Sequence, residues 1–176
     1  MKGQVELELK TLLSKQDFEK LLAHYQPLTF VRQVNTYFVT SDIAHYAFRI
    51  RERNGETVFT LKHYTDGQVM EYEKSFGGNF FDDPEIIEIL NRFDIHPPFQ
   101  LLGSVITDRA VYETDLAELC FDINQYNGLT DYEVEYEVKK PHDHKQAFEK
   151  ILAKENLNYV KSWGSKYRRC LQTKKL

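Results

Sequence analysis

Like charges recur at every second residue in four places along this chain: Glu6-x-Glu8 followed by Lys10, Arg49-x-Arg51, Glu71-x-Glu73, and Glu133-x-Glu135-x-Glu137. Residues i and i+2 of a strand lie about 7 Å apart on one face. Each cluster therefore repels itself unless counter-charges or ions stand opposite. One such run taken alone reads as the solvent face of a strand. The recurrence, with both signs represented, points elsewhere. Carboxylate oxygens suit hard cations such as Mg²⁺ or Mn²⁺, whereas guanidinium and ammonium groups match phosphoryl oxygens. The two kinds of cluster together suit one ligand, a metal-complexed phosphate chain.

Strands must hold these residues. Val5-Glu6-Leu7-Glu8-Leu9-Lys10 alternates as one strand with an apolar and a charged face, and further strands are expected over 33–40, 46–53, 57–64 and 69–76. Asn54-Gly55 and Asp66-Gly67 supply tight-hairpin dipeptides between them. Later strands are expected over 101–108, 110–114, 117–126 and 131–139, with Asn127-Gly128 as another turn, and a closing strand over 166–173. Ser14 caps a first helix carrying Phe18, Leu21, Leu22 and Tyr25, which ends before Pro27. Asp83-Pro84 opens a second helix with Ile86, Ile87, Leu90 and Phe93, and Pro141 a polar third helix through about Glu155. Many antiparallel strands with charges on one face suggest a closed barrel with a wet interior, which keeps the charges hydrated and leaves no open edge. The expected class is α+β: a closed antiparallel β-barrel of about eight strands with flanking helices, one domain over 1–176.

The motifs, in order, resemble the CYTH domains, also called triphosphate tunnel metalloenzymes. Glu6-Leu7-Glu8-Leu9-Lys10 resembles their ExExK signature, Arg49-Ile50-Arg51 their RxR strand and Thr60-Leu61-Lys62 their TxK strand, followed by Glu71-Tyr72-Glu73. Thr107-Asp108-Arg109 resembles the arginine strand and Cys120-Phe121-Asp122 the strand ending in aspartate. The second glutamate strand is matched by Glu133-Val134-Glu135-Tyr136-Glu137 and the closing lysine strand by Lys166-Tyr167-Arg168. Two departures stand out. Asp108 replaces a basic residue common before the arginine, and the triple glutamate leaves its pairing open, with Glu133 and Glu135 ahead of Glu137.

The resemblance implies a triphosphate tunnel. In it Lys10, Arg49, Arg51, Lys62, Arg109 and Lys166 hold the triphosphate, and Glu6, Glu8, Glu133, Glu135 and Glu137 coordinate Mg²⁺ or Mn²⁺. Glu6, Glu8, Lys10, Arg51 and Lys62 are the expected catalytic set, with Glu71, Glu73 and Asp122 orienting basic groups or supporting the metal. The implied activity is hydrolysis of the terminal phosphoryl of inorganic or a small organic triphosphate. A class IV type adenylate cyclase and a non-catalytic polyphosphate-binding module are the alternatives.

A net charge of −4 gives no basic footprint for nucleic acid. Neither a signal peptide nor a bilayer-spanning run is present, so a cytoplasmic protein free of the membrane is expected. Cys120 and Cys170 lack metal or disulfide spacing and read as buried thiols. His142-x-His144 lacks a companion ligand and reads as a solvated loop, and His24, His45, His63 and His96 as scattered singletons. No P-loop motif occurs, and Gly77-Gly78 reads as a turn. Trp163 reads as packing over a barrel end and Lys174-Lys175 as a solvated tail, while Arg53 and Arg168 stand either as surface charges or as part of the basic set. No motif sets an oligomeric state.

Overall fold

The computed structural model describes residues 1–173 except Ser41, Ile43, Asp66 and Trp163. The readings of Asp66, Trp163, Lys174 and Lys175 fall outside the described residues. Among the described residues, nine strands form: β1 (Gln4–Glu6), β2 (Glu8–Leu13), β3 (Val31–Val39), β4 (Tyr46–Arg53), β5 (Glu56–Thr65), β6 (Gln68–Phe76), β7 (Gln100–Glu113), β8 (Ala117–Tyr126) and β9 (Leu129–Val138). Four α-helices accompany them: α1 (Lys15–Ala23), α2 (Pro84–Arg92), α3 (His144–Leu152) and α4 (Lys166–Thr173).

The hydrogen-bonded order is β1-β6-β5-β4-β3-β7-β8-β9-β2. Its two ends, β1 and β2, are separated in sequence by Leu7 alone. That connectivity is the antiparallel β-barrel class with flanking helices which the strand pattern predicts. No helix among the described residues is long and apolar enough to cross a membrane.

Local chemistry accounts for the boundaries. Ser14 accepts the Asp17 amide at 3.1 Å and starts α1, while Asp83 accepts the Glu85 and Ile86 amides at 3.0 and 3.2 Å with Pro84 following. Asn54 (φ 51°) and Gly55 (φ 80°) turn β4 into β5, and Asn127 (φ 50°) and Gly128 (φ 78°) turn β8 into β9. Two successive positive φ values define the hairpin turn whose twist matches the flanking strands.

Three expectations are corrected. The single amino-terminal strand is two, broken at Leu7, because β1 pairs with β6 and β2 with β9. The expected break at Arg109 does not exist: β7 runs unbroken for 14 residues. The closing strand is helix α4, whose buried residues Lys166, Tyr167, Arg169 and Cys170 fall at i, i+1, i+3 and i+4. That is one helical face, whereas a half-buried strand would alternate.

The chain packs as two compact units, Met1–Glu6 with Gln33–Val105 and Lys166–Leu176, and Leu7–Arg32 with Ile106–Ser165. In the first, Phe48, Ile50, Phe59 and Leu61 pack with Ile86, Ile89 and Leu90 of α2. In the second, Leu119, Phe121, Val134 and Tyr136 pack with Phe18 and Leu21 of α1 and Phe148 and Leu152 of α3. Full burial of each such side chain contributes roughly 1.5–3 kcal/mol. Anchoring one face of each sheet in this way fixes what the other face presents. Ile87 of α2 is 40% exposed.

Candidate functional site

Directly paired residues of antiparallel strands share a face, so register assigns the polar faces. In the first unit, Tyr37, Arg49, Thr60 and Glu73 lie in one row across β3, β4, β5 and β6. Asn35 and Arg51 form the row on one side, and Lys62, Glu71 and Gln4 the row on the other. The Lys62 ammonium donates to Glu6 Oε2 at 2.6 Å and lies 3.4 Å from Glu71 Oε1. Arg49 Nη2 lies 3.8 Å from that same Glu71 oxygen. Thr60 Oγ1 donates to Glu73 Oε1 at 2.9 Å, and Arg51 Nε to Asn35 Oδ1 at 3.0 Å.

The separations between Glu71 and its two cations permit attraction but no hydrogen bond involving that oxygen. Glu71 Oε1 and Arg49 Nε are indeed buried without a hydrogen-bond partner among the described residues. Burial opposes the charge on Arg49, yet the Tyr37 hydroxyl, Glu71 and Glu73 outweigh it and raise its pKa above the ordinary value. A buried, charged donor nitrogen without a protein acceptor is costly, and an anionic ligand could satisfy it. Lys166 and Arg169 are buried on α4, whose Tyr167 ring lies 5.6 Å from that of Tyr37.

The polar face of the second unit has the opposite balance. Arg109, Asp122 and Glu133 form one row, Cys120, Glu135 and Lys10 the next, and Glu118, Glu137 and Glu8 a third. Asp122 and Glu133 are fully buried and Glu135 is 3% exposed. Arg109 donates through Nε and Nη2 to the two oxygens of Asp122, both at 2.7 Å, through Nη2 also to Glu135, and through Nη1 to Glu137 at 2.9 Å. Lys10 pairs with Glu8. Burial opposes the charge on Arg109, but Asp122 and Glu135 outweigh it and hold the pKa well above normal.

For Glu137, burial is the dominant influence. Together with Glu135 and Glu8 it outweighs the Arg109 attraction and raises the carboxyl pKa. Burial likewise pushes up the Cys120 thiol, which keeps its proton.

Two sets of carboxylates have oxygens within 4.8 Å of one another: Glu8, Glu135 and Glu137, and Asp122, Glu133 and Glu135. Both offer only hard oxygen donors, so the residues fit a hard metal cation. Glu118, Cys120 and Glu137 form a third group with a thiol in it.

The structure thus brings Glu8, Lys10, Arg109, Asp122, Glu133, Glu135 and Glu137 together, and separately Glu6, Arg49, Arg51, Lys62, Glu71 and Glu73. Glu6 and Glu8, read as one motif, belong to different units, and Glu6 bonds to Lys62. Asp122 accepts two bonds from Arg109, and Glu73 accepts the Thr60 hydroxyl. Arg53 and Arg168 are exposed, with Arg168 lying over the Tyr64 ring. His142 is hydrogen-bonded to the Tyr136 hydroxyl at 2.9 Å. Cys120 and Cys170 are buried free thiols.

Sequence reasoning missed Asn35, Arg169 and the placement of Cys120 on the charged face. The alternation Gln33-x-Asn35-x-Tyr37 carried a signal for the first, and helical spacing from Lys166 for the second.

An antiparallel barrel topology with charges of both signs on one face of its strands defines the class. The chain belongs to the CYTH domain family, whose model matches residues 4–170. It is 34% identical over 166 residues to a Bacillus subtilis protein named as the putative triphosphatase YjbK, covering 86% of this chain and 87% of the relative. A solved Bacillus halodurans structure, named a putative adenylate cyclase, is 27% identical with a TM-score of 0.84, covering 96% of this chain and 98% of that one. The Hippeastrum protein HpAC1, described as a putative adenylyl cyclase with a dominant triphosphatase activity, shares the fold at 24% identity and a TM-score of 0.77, over 97% of each chain.

Proposed function

We propose that this chain is a metal-dependent triphosphatase, cytoplasmic and working as one domain over 1–176, that cleaves the terminal phosphoryl of inorganic triphosphate or a small organic triphosphate. The observation that carries the reading is the second unit's buried acidic face. Asp122, Glu133 and Glu135 share one sheet face at 0%, 0% and 3% exposure with carboxylate oxygens within 4.8 Å of one another, a donor set that suits a hard cation. Family membership and the YjbK relative support the choice of reaction.

In this reading Glu8, Glu133, Glu135 and Glu137 hold the ion, with Glu6 joining them or serving as the counter-charge that aims Lys62. A bound Mg²⁺ or Mn²⁺ would supply charge neutralisation at phosphoryl oxygens and a water of lowered pKa. The chain's own part is positioning. Arg49, Arg51, Lys62, Lys10, Lys166 and Arg109 bind the phosphate oxygens and compensate the charge that shifts during phosphoryl transfer to water. Asp122 fixes the Arg109 plane through two parallel bonds, and Glu71 and Glu73 hold Arg49 charged. Little covalent chemistry is asked of any side chain.

The test is a phosphate-release screen across inorganic triphosphate, thiamine triphosphate, ATP and longer polyphosphate, each with Mg²⁺ and Mn²⁺, with cyclic AMP assayed in parallel. Metal-dependent release of phosphate is the expected result. Cyclic AMP from ATP would replace the reading with a cyclase. Tight binding without turnover under either metal would replace it with a polyphosphate-binding module.

A further inference from the structure

Asn35 is 2% exposed and stands directly opposite Arg51 in the pairing of β3 with β4. Its Oδ1 accepts from Arg51 Nε at 3.0 Å, and its Nδ2 donates to the backbone carbonyl of Val105 at 3.4 Å. The amide cannot be reversed. Turning it over would set an NH₂ against the Arg51 N–H and a carbonyl against the Val105 carbonyl, two unfavourable contacts in place of two bonds. The Val105 oxygen therefore dictates the amide orientation, and the amide dictates where the Arg51 Nε–H points. Because a guanidinium is planar, fixing Nε–H restrains the direction in which both terminal nitrogens face.

The other well-placed arginine solves the same problem differently. Arg109 Nε donates to the Asp122 carboxylate, and its terminal nitrogens go to Asp122, Glu135 and Glu137. Each of those acceptors brings negative charge. Asn35 holds the same atom of Arg51 and brings none.

We propose that Asn35 is a positioning residue for Arg51, aiming its guanidinium at a polyphosphate while adding no counter-charge at that contact. The assignment rests on the reading of Arg51 as a phosphate-binding group. It predicts that an acid in place of Asn35 weakens anion binding and that a side chain without the amide releases Arg51.

The experiment uses the full chain and inorganic triphosphate as the probe. Binding is measured by calorimetry in EDTA, kcat and KM with Mg²⁺, and Tm for every variant. Asn35→Asp is expected to raise Kd and KM about tenfold, the scale of one added unfavourable charge at a binding site. Asn35→Ala is expected to raise KM by about fivefold in the native background and by less than twofold when Arg51→Ala is already present, since residues acting through one another are not additive.

Variants that bind triphosphate as tightly as the native chain would overturn the assignment. So would an equal cost of Asn35→Ala in both backgrounds, which would make Asn35 a simple strut between β3 and Val105. If Asn35→Asp fails to fold against the Val105 carbonyl, the two-background comparison alone decides. A native chain that binds no triphosphate at all sinks the phosphate role of Arg51 itself, and is thereby distinguished from failure of the Asn35 assignment.

Discussion

The polar faces of the two units are built by one rule and come out with opposite character. Each is the second face of an antiparallel sheet whose first face is anchored by aromatic and aliphatic residues on helices: α2 in the first unit, α1 and α3 in the second. In the first unit the face carries Arg49, Arg51 and Lys62 against Glu6, Glu71 and Glu73, and Tyr167 of α4 meets Tyr37 of the same face. In the second, Lys10 and Arg109 stand against Glu8, Asp122, Glu133, Glu135 and Glu137. Among the described residues, the first unit keeps a buried guanidinium nitrogen and a carboxylate oxygen unbonded, whereas Arg109 in the second has each of its nitrogens hydrogen-bonded to a carboxylate. On one face Arg49 keeps a buried donor that finds no acceptor among the described residues. On the other, carboxylates outnumber the cations, with Arg109 bonded to three of them.

That contrast can be broken in graded steps. The largest effect is expected from Glu135→Ala, which removes a residue common to both oxygen-only carboxylate groups; metal-dependent phosphate release should fall about 10³-fold or more. Circular dichroism should stay native, and activity within tenfold of the native chain would remove Glu135 from the metal set.

Next is Arg109→Met, which strips the buried counter-charge from Asp122 and Glu135 and should cost about 3–5 kcal/mol in urea denaturation at pH 7. The matching change Lys62→Met leaves Glu6 and Glu71 near partial exposure, 18% and 20%, and should cost only about 1–2 kcal/mol. Equal losses would mean that the two faces are electrostatically alike after all.

The smallest effect tests the outer face. Asp108 points away from Arg109 and is bonded at 2.8 Å through each oxygen to Arg32, whose hydrogen bonds hold its carboxyl below the usual range. A lowered folded-state pKa gives stability that is present above the ordinary aspartate value, about 4, and lost as pH falls through the lowered one. Asp108→Asn should therefore reduce Tm slightly at pH 7 and not at all near pH 2. A difference that persists in acid would show that the pair matters through packing rather than charge.

Much of this could be read from the sequence. The Asn-Gly turns, the Ser14 and Asp83 caps and the every-second-residue charges state their structural meaning locally, and the strands over 46–53 and 117–126 come out with the expected bounds. The failures share a physical cause. The split at Leu7 and the unbroken β7 depend on which strand each segment pairs with, and partner choice is not encoded in a segment's own alternation. The closing strand expected over 166–173 is a helix, because its buried positions follow one helical face. Among the site residues, like-charge pairs are visible as repeats, but Arg109 meeting Asp122, Glu135 and Glu137 requires three strands in register. Asn35 carries no charge and belongs to no repeat, so only its pairing with Arg51 reveals it.

The break at Leu7 also bears on how the chain is made. The second unit draws its segments from Leu7–Arg32 and Ile106–Ser165, whereas the first needs Met1–Glu6, Gln33–Val105 and then the stretch beginning at Lys166. During synthesis the strand that pairs with Glu6 is finished at Phe76, whereas the strand that pairs with Glu8 is finished only at Val138. Translation thus lets Glu6, the carboxylate bonded to Lys62, be secured well ahead of Glu8, its neighbour two residues on.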